Sequence, residues 1–289
     1  PVALWLAHAL TERGHCVSIL TKGYRGKNTG VTVVGTAGQP TATPDEVGDE
    51  AVMLARLFAG VVIAGRDRTA ATTLAREQFG VEVALLDDGF QHRRLDRDVD
   101  VVLFNGRKEL SNHWLLPAGP FREPLSSSRR ANIVLITKSE THGDLPRQWR
   151  TSTPQQPVYY GTLQPIALVS SEQRQWRELP LTELGGKRVM ALTGIADPAP
   201  FYQSLQEWGA ELAEVMEFPD HHQYAQADWQ AISAAGQKVD LIVTTEKDLV
   251  KLERFPFATR KLVALRVRMA IEHEDQLLAD IERRLMKIE

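Results

Sequence analysis

Two adjacent carboxylates, Asp87 and Asp88, directly follow the apolar run 83–86 and precede a glycine. An apolar strand that ends in acidic residues is typical of a Walker B strand, where aspartate holds Mg²⁺ beside the phosphates of a nucleotide. Asp-Asp-Gly is also a common turn sequence, because both residue types favour turn conformations. The local pattern therefore leaves a magnesium site and a simple turn equally open.

A third carboxylate, Asp49, stands between Gly48 and Glu50 at the start of a run with helical periodicity. The helix dipole favours acidic residues in a first turn, which explains this pattern without any catalytic role. A carboxylate is also a suitable base for activating an alcohol when it lies within hydrogen-bond reach. On these residues alone, the explanation through the helix dipole is favoured.

Two adjacent histidines, His221 and His222, come shortly after a predicted strand. Adjacent histidines sometimes bind zinc, but the sequence supplies no further ligands at zinc-like spacing. The single cysteine, Cys16, falls in another predicted strand. The histidine pair alone therefore predicts no metal site, and a loop histidine is more often structural than catalytic.

Arg122 and Glu123 follow a loop rich in proline and glycine, which we expect to have a fixed backbone geometry. The arginine is suited to clamping a phosphate, and the alternative is a surface ion pair of little energetic value. Tyr24 and Arg25 lie in a turn flanked by glycines. Such a turn allows close approach of a ligand, but it is equally compatible with a simple change of chain direction.

Lys247 lies in the segment Thr245-Glu246-Lys247-Asp248, at the end of a predicted strand. Its ammonium group is able to contact a nucleotide. Capping of a helix by Thr245, with Asp248 three residues later, explains the same sequence. The capping explanation is favoured.

The order of these blocks along the chain resembles the tetraacyldisaccharide 4′-kinase family, the lipid A kinases. The matching blocks are Gly23-Tyr24-Arg25-Gly26, Gly48-Asp49-Glu50, Asp87-Asp88-Gly89-Phe90-Gln91-His92, Leu116-Pro117-Ala118-Gly119-Pro120-Phe121-Arg122-Glu123-Pro124, Asp220-His221-His222 and Thr245-Glu246-Lys247-Asp248. Because they occur in one order over nearly the whole chain, accidental similarity is improbable.

The resemblance implies an ATP-dependent kinase that uses Mg²⁺. The reaction it implies is transfer of the γ-phosphate to the 4′-hydroxyl of a tetraacylated glucosamine disaccharide 1-phosphate, which gives lipid IVA. It also assigns roles to the residues at matching positions. The expected catalytic residues are Asp49 and His221. The expected metal ligands are Asp87 and Asp88. The residues expected to bind the nucleotide or its phosphates are Arg122, Glu123 and Lys247. The residues expected to bind the acceptor lipid are Tyr24, Arg25, Gln91 and His92.

The sequence departs from the family pattern at two points. Lys22 stands where the family usually has arginine, which keeps the charge but loses the bidentate geometry. The family's membrane-associating N-terminal helix and its Walker A loop, which precede the position of Pro1, are not among these residues. We expect the complete enzyme to attach peripherally to the cytoplasmic face of the bacterial inner membrane, and residues 1–289 alone to be soluble and inactive.

Apolar runs with strand character alternate with amphipathic helical segments along the chain. This alternation predicts an α/β fold with a largely parallel sheet covered on both faces. With the resemblance, it indicates a P-loop NTPase-like domain over residues 1–150, in which ligands bind where the strands end. The strands predicted there are 17–20, 31–34, 61–64, 83–86, 99–104 and 133–137, and the helices after an opening helix are 50–58 and 69–79.

Composition changes between about residues 151 and 186, where proline, glutamine and serine become frequent. Two short extended stretches there, 158–163 and 166–170, predict a linker hairpin. A second, smaller α/β domain is predicted for residues 187–289. Its predicted strands are 188–192, 211–217, 241–244 and 262–265, and its predicted helices are 200–208, 226–236 and 275–287.

Charge and cysteine content bear on the class of protein. The net charge of −3 produces no global basic field, so nucleic acid is not an expected partner. One cysteine cannot form an internal disulfide, which indicates a reducing compartment. Two alternatives to the lipid kinase stay open. One is another P-loop ATP-dependent enzyme without selectivity for an acylated disaccharide, and the other is a binding domain without catalytic activity.

Overall fold

The computed structural model describes residues 1–106, 114–119, 121–137, 156–172, 175–220, 222–255 and 261–286. Strands in these ranges form two sheets, with helices between them along the chain. The predicted alternation of strands and helices is confirmed, and so is the α/β class of the fold.

The smaller sheet has five strands in the order β3-β2-β4-β1-β5. Their bounds are β1 Val17–Thr21, β2 Thr32–Thr36, β3 Gln39–Pro40, β4 Val61–Ala64 and β5 Val83–Leu86. β1 lies between β4 and β5, pairs parallel with both, and is buried along its whole length. β2 runs antiparallel to β4, so the parallel arrangement is confirmed only at the centre of the sheet. Cys16 precedes β1 and is exposed, although the sequence predicted it within that strand.

The larger sheet has eight strands along the path β11-β10-β12-β13-β8-β7-β6, and β9 pairs with β8 beside that path. The bounds are β6 Val101–Asn105, β7 Ile133–Thr137, β8 Val158–Glu172, β9 Gln175–Leu179, β10 Arg188–Thr193, β11 Glu211–Glu217, β12 Leu241–Thr245 and β13 Leu262–Ile271. β10 to β13 pair parallel with one another, and β6 to β8 do the same. The antiparallel pairing of β13 with β8 joins these two groups.

Two assignments made from the sequence are wrong. β6 and β7, which were expected in the sheet of the first domain, belong to the larger sheet, where β6 pairs with β7 and β7 pairs with β8. The stretch expected to form two short strands of a linker hairpin is one long strand, β8, inside that sheet, with β9 as its hairpin partner. Packing against the rest of the protein decides which strands pair, and local sequence does not report it. The domain boundaries at residues 150 and 187 stay a prediction.

The α-helices in the described ranges are α1 Val2–Glu12, α2 Pro44–Val47, α3 Asp49–Leu57, α4 Arg68–Phe79, α5 Ala199–Glu207, α6 Gln226–Gly236, α7 Glu246–Leu252 and α8 Glu274–Leu285. Local sequence explains both ends of one of these helices, α4. α4 begins after Asp67, whose carboxylate accepts the N–H of Ala70 at 3.0 Å, and it ends at Gly80 in a left-handed conformation. In the ranges above, every helix is too short or too polar to cross a membrane.

One hydrophobic core joins the two sheets. It contains Ile19 of β1 in the smaller sheet and Leu135 of β7 in the larger sheet. Leu10 of α1 and Leu277 of α8 belong to the same cluster. The two sheets therefore share buried surface, and the elements that carry the polar clusters are held in fixed relation to one another.

A largely buried ion pair joins α3 to the residues that follow α7. Arg56 Nη1 lies 2.8 Å from Oε1 and 2.7 Å from Oε2 of Glu253, and the two side chains are 14% and 7% exposed. Glu253 Oε2 also accepts hydrogen bonds from Ser171 Oγ at 2.8 Å and from Trp176 Nε1 at 2.9 Å. Because a buried charge is costly without its partner, this junction is sensitive to loss of either side chain.

We expect Glu253→Gln to lower the free energy of unfolding by about 2 to 4 kcal/mol, since it leaves the Arg56 guanidinium without a carboxylate. Glu172→Gln is the matched control, because Glu172 is 65% exposed in its 3.4 Å pair with Arg177. Exposed pairs contribute little to stability. Urea unfolding followed by circular dichroism measures both variants. Equal losses in the two would contradict the importance of the buried junction.

Candidate functional site

The start of α3 holds Asp49 in a buried position. Gly48 has a φ of 89°, and a Cβ atom there would lie 2.3 Å from the carbonyl oxygen of Tyr24. Only glycine allows this approach without a backbone shift, so the loop with Tyr24 lies directly against the start of the helix. Asp49 is 6% exposed, and its Oδ1 accepts the N–H of Glu50 at 3.0 Å.

Lys251 of α7 is a cation next to Asp49. Its Nζ lies 3.5 Å from Oδ2 of Asp49 and 2.9 Å from Oδ1 of Asp248, and its side chain is 3% exposed. It also donates a hydrogen bond to the carbonyl oxygen of His222 at 3.1 Å. The predicted base therefore lies beside a buried cation that also contacts the residue following position 221.

Lys247 joins the same elements nearer the surface. Its Nζ lies 3.4 Å from Oε1 of Glu50 and 3.2 Å from Oδ1 of Asp220. The start of α3 is thus connected to residues on both sides of position 221. His221 itself lies outside the described residues, so its contact with Asp49 stays a prediction.

His222 has a structural environment. Its Nε2 lies 2.9 Å from Oδ2 of Asp228, and its ring stacks on Phe218 with centroids 4.6 Å apart. These contacts fix the loop that follows β11. They agree with the structural role that the sequence favoured for this residue.

At the end of β5, Asp88 forms an ion pair with Arg122. Arg122 Nη1 lies 2.6 Å and 2.8 Å from the two carboxylate oxygens, and Lys22 Nζ lies 3.7 Å from Oδ2. Arg122 Nη1 also lies 3.4 Å from Oε1 of Gln91. The structure therefore brings together Asp88, predicted to bind the metal, Arg122, predicted to bind phosphate, and Gln91, predicted to bind the acceptor lipid.

Asp87 has a different environment from its neighbour. Partial burial raises the pKa of the Asp87 carboxyl, and the negative charges of Glu50 and Asp88 raise it further. Arg68, which is fully buried, donates a hydrogen bond to the backbone carbonyl oxygen of Asp87 at 3.0 Å, and burial lowers the pKa of its guanidinium. The influence of Glu50 indicates that the end of β5 and the start of α3 belong to one site.

Glu123 and His92 both have basic neighbours. Arg130 makes hydrogen bonds of 2.8 Å and 3.1 Å to the two carboxylate oxygens of Glu123, and these lower the pKa of that carboxyl. Partial burial, followed by the charge of Arg68, lowers the pKa of His92. The pair with Arg130 fixes the loop next to Arg122, whereas direct phosphate binding by Glu123 stays a prediction.

Tyr24 and Arg25 lie at the surface, in the loop that follows β1. Tyr24 is 58% exposed, and the Arg25 guanidinium carbon lies 5.7 Å from the centroid of its ring. Backbone hydrogen bonds tie the loop to α2, including one of 3.0 Å from the N–H of Lys27 to the carbonyl oxygen of Asp45. The predicted contact of Tyr24 and Arg25 with an acceptor lipid stays a prediction.

The sequence-based reasoning assigned no role to Lys251, Arg68 or Glu50. Lys251 follows Asp248 by three residues, a spacing that places both on one face of a helix and was a usable signal. Arg68 gave no comparable signal, because a basic residue near a helix start is normally exposed. Glu50 was named only as part of the Gly-Asp-Glu block.

A cleft of about 780 Å³ opens beside the end of β5. Its walls include the apolar residues Leu85 of β5 and Val102 of β6, and its polar part includes Asp87, Asp88 and Arg122. This volume is in the range that small-molecule sites occupy. The carboxylates and the arginine therefore lie at an accessible surface.

Comparison with known proteins gives consistent results. A family model described as Tetraacyldisaccharide-1-P 4'-kinase matches residues 1–286. A tetraacyldisaccharide 4'-kinase of Syntrophus aciditrophicus is 38% identical over 267 residues, which cover 87% of this chain and 71% of that protein. The enzyme of the same name from Halothermothrix orenii is 36% identical over 271 residues, with 88% and 70% covered.

A solved structure is also similar. The "apo" form of LpxK from Aquifex aeolicus, in complex with ATP, matches with a TM-score of 0.78 and 30% identity, over 98% of this chain and 83% of that chain. Both the predicted fold class and the resemblance seen in the motifs are confirmed, as is the predicted class of enzyme, an ATP-dependent kinase. The chain belongs to the tetraacyldisaccharide-1-P 4'-kinase family.

Proposed function

We propose that the protein transfers the γ-phosphate of ATP to the 4′-hydroxyl of a tetraacylated disaccharide 1-phosphate, giving lipid IVA, at the cytoplasmic face of the bacterial inner membrane. The observation that carries this proposal is the position of Asp49. This carboxylate at the start of α3 is joined through Lys251 to the loop that contains position 221. Glu50, the next residue of α3, lies near enough to the acidic end of β5 for its charge to raise the pKa of Asp87, which supports a shared site.

The chemistry requires a base and a set of cations. A sugar hydroxyl is a weak nucleophile, so Asp49 would accept its proton while the oxygen attacks the γ-phosphorus, with His221 orienting the carboxylate. Phosphoryl transfer otherwise depends mainly on positioning and on stabilising the charge of the phosphates. Arg122 and Lys247 are suited to that task, because both present cationic groups in the site.

The acidic end of β5 fits a magnesium ion. In the described part of the chain, no group of three or more histidine, cysteine and acidic side chains is arranged to hold a metal. Mg²⁺ usually needs only one or two protein carboxylates, since water and substrate phosphates complete its coordination. Asp87 and Asp88 would hold it, and the ion when bound would neutralise charge on the β and γ phosphates.

Asp49→Ala should lower kcat by about 10² to 10⁴-fold and change ATP affinity much less, because the carboxylate acts on the acceptor. Asp45→Ala is the matched control, since the Asp45 side chain is 62% exposed and lies 3.8 Å from Lys27. Single-turnover phosphorylation of the acylated acceptor is measured in a version that carries the Walker A segment. An unchanged kcat would end the assignment of Asp49 as the base.

Asp87→Asn should raise the Mg²⁺ concentration for half-maximal rate by about tenfold or more, as loss of a metal-site carboxylate usually does. Because burial raises the pKa of Asp87, the carboxylate takes up a proton at higher pH than usual, and Mg²⁺ affinity should weaken as the medium becomes acidic. Magnesium titrations at several pH values measure both effects. An identical magnesium dependence in variant and wild type would exclude Asp87 as a ligand.

Residues 1–289 contain no glycine-rich sequence that ends in Gly-Lys-Ser or Gly-Lys-Thr. A Walker A loop supplies backbone N–H groups, a lysine and a magnesium ligand, and loss of even one such donor typically costs about 3 kcal/mol. We expect these residues alone to bind Mg-ATP weakly and to show no turnover, in contrast to a version with the family's N-terminal helix and Walker A loop. We also propose that this N-terminal helix attaches the enzyme to the membrane. Calorimetry and a phosphorylation assay compare the two, and comparable activity would show that the phosphates are held elsewhere.

The choice of phosphate acceptor distinguishes a lipid kinase from another ATP-dependent enzyme and from a binding domain without catalytic activity. A lipid kinase should phosphorylate the tetraacylated disaccharide 1-phosphate and not a carboxylate substrate. Another ATP-dependent enzyme should show no preference for the acylated disaccharide, and a binding domain should transfer no phosphate even with the Walker A segment present. The acceptor specificity of that version is therefore the most informative measurement.

A further inference from the structure

Lys251 is a buried lysine for which the proposed reaction has no direct use. It lies on α7, and its side chain is 3% exposed, too little for contact with a substrate. Lysine is rarely buried unless acceptors surround its ammonium group. The identity of those acceptors therefore indicates what the residue does.

The acceptors of the Lys251 ammonium group come from three segments of the chain. They are Asp49 Oδ2 of α3 at 3.5 Å, Asp248 Oδ1 of α7 at 2.9 Å, and the carbonyl oxygen of His222 at 3.1 Å. The ring of Tyr224 lies on a further side, with its centroid 5.2 Å from Nζ. The ammonium group thus joins the proposed base to the loop that contains position 221.

Asp248 anchors this arrangement. Its Oδ2 accepts hydrogen bonds from the N–H of Gly194 at 2.9 Å and from Thr245 Oγ1 at 2.8 Å, and the residue is fully buried. With one oxygen fixed by these two donors, the other oxygen is directed to Lys251. Asp248 therefore sets the position of the ammonium group, and the ammonium group in turn sets the position of Asp49.

The charge balance around Asp49 depends on the same lysine. Lys251 is one cation placed against the two buried carboxylates of Asp49 and Asp248. Of the other charged groups nearby, Glu50 pairs with Lys247 nearer the surface. The ring of His222 pairs with Asp228, and Tyr224 contributes an uncharged ring. Removal of the lysine would therefore take away a contact that Asp49 and Asp248 share, and with it a constraint on the position of the Asp49 carboxylate.

We propose that Lys251 is a positioning residue that holds the carboxylate of Asp49 in place at the start of α3, directed toward the acceptor hydroxyl. This inference rests on the proposed role of Asp49 as base. Lys251 does not touch the reacting atoms. Its effect passes through Asp49, so its loss should lower the rate of phosphate transfer and leave nucleotide binding nearly unchanged.

Lys251→Met tests this, because it keeps the length of the side chain and removes its charge. In the version that carries the Walker A segment, kcat and the KM for ATP are measured with the acylated acceptor. The kcat should fall about tenfold or more, because a displaced carboxylate loses its hydrogen-bond reach to the acceptor hydroxyl. The KM for ATP should stay within about twofold. Lys238→Met, at an exposed lysine, is the control and should leave kcat unchanged.

Two further variants keep the test decisive if Lys251→Met folds poorly. Lys251→Arg retains the charge and should keep most of the wild-type kcat. Lys251→Met combined with Asp248→Asn should lower kcat little further than Lys251→Met alone, because Asp248 acts on Asp49 through the ammonium group. A kcat that stays at the wild-type value in Lys251→Met, or a loss that Lys251→Arg does not restore, would overturn the proposal.

The outcome with Asp49→Ala separates this inference from the proposed function. If Asp49→Ala retains the wild-type kcat, the assignment of the base fails, and the role of Lys251 fails with it. If Asp49→Ala loses activity while Lys251→Met keeps the wild-type kcat, only the role of Lys251 fails.

Discussion

The ammonium group of Lys251 lies between the carboxylates of Asp49 and Asp248, which belong to helices associated with different sheets. Charges removed from water persist only where their partners are held in place, so this contact requires α3 and α7 to stay packed together. Arg56, in the last turn of α3, and Glu253, directly after α7, repeat the requirement at the other end of α3. Because α3 is fixed at both ends, the position of its first residue, Asp49, is fixed as well.

A steric constraint acts at the same place. The loop that carries Tyr24 approaches Gly48 so closely that a side chain there would meet its carbonyl oxygen. This contact connects the end of β1 to the start of α3, next to the end of β5. Parallel strands of one sheet end at one edge, and β1 and β5 are parallel neighbours. The acidic residues after β5 and the carboxylate of Asp49 are therefore brought to one edge by sheet geometry and by one glycine.

Some of this arrangement could be predicted from sequence. The apolar run before Asp87, and Thr245 with Asp248 three residues later, indicated a strand end and a helix start that the structure contains. The pairing of β6 with β7 in the larger sheet could not be predicted, because similar apolar strands pair according to packing between distant segments. Lys251 was missed for a related reason. A lysine on a short helix is normally exposed, and two of the groups around its ammonium, Asp49 and the carbonyl oxygen of His222, are far away in sequence.

Burial divides the cations of the site into two kinds. Arg122 and Asp88 form a pair in which the side chains are 54% and 49% exposed, and such pairs contribute little to stability. A phosphate group can therefore replace Asp88 as the partner of Arg122 at small cost, and the arginine is already oriented when the phosphate arrives. Lys251 has no such freedom, because it is 3% exposed and exchange of its partners would separate buried charges. The exposed cation is suited to binding a ligand, and the buried cation is suited to fixing the geometry of the base.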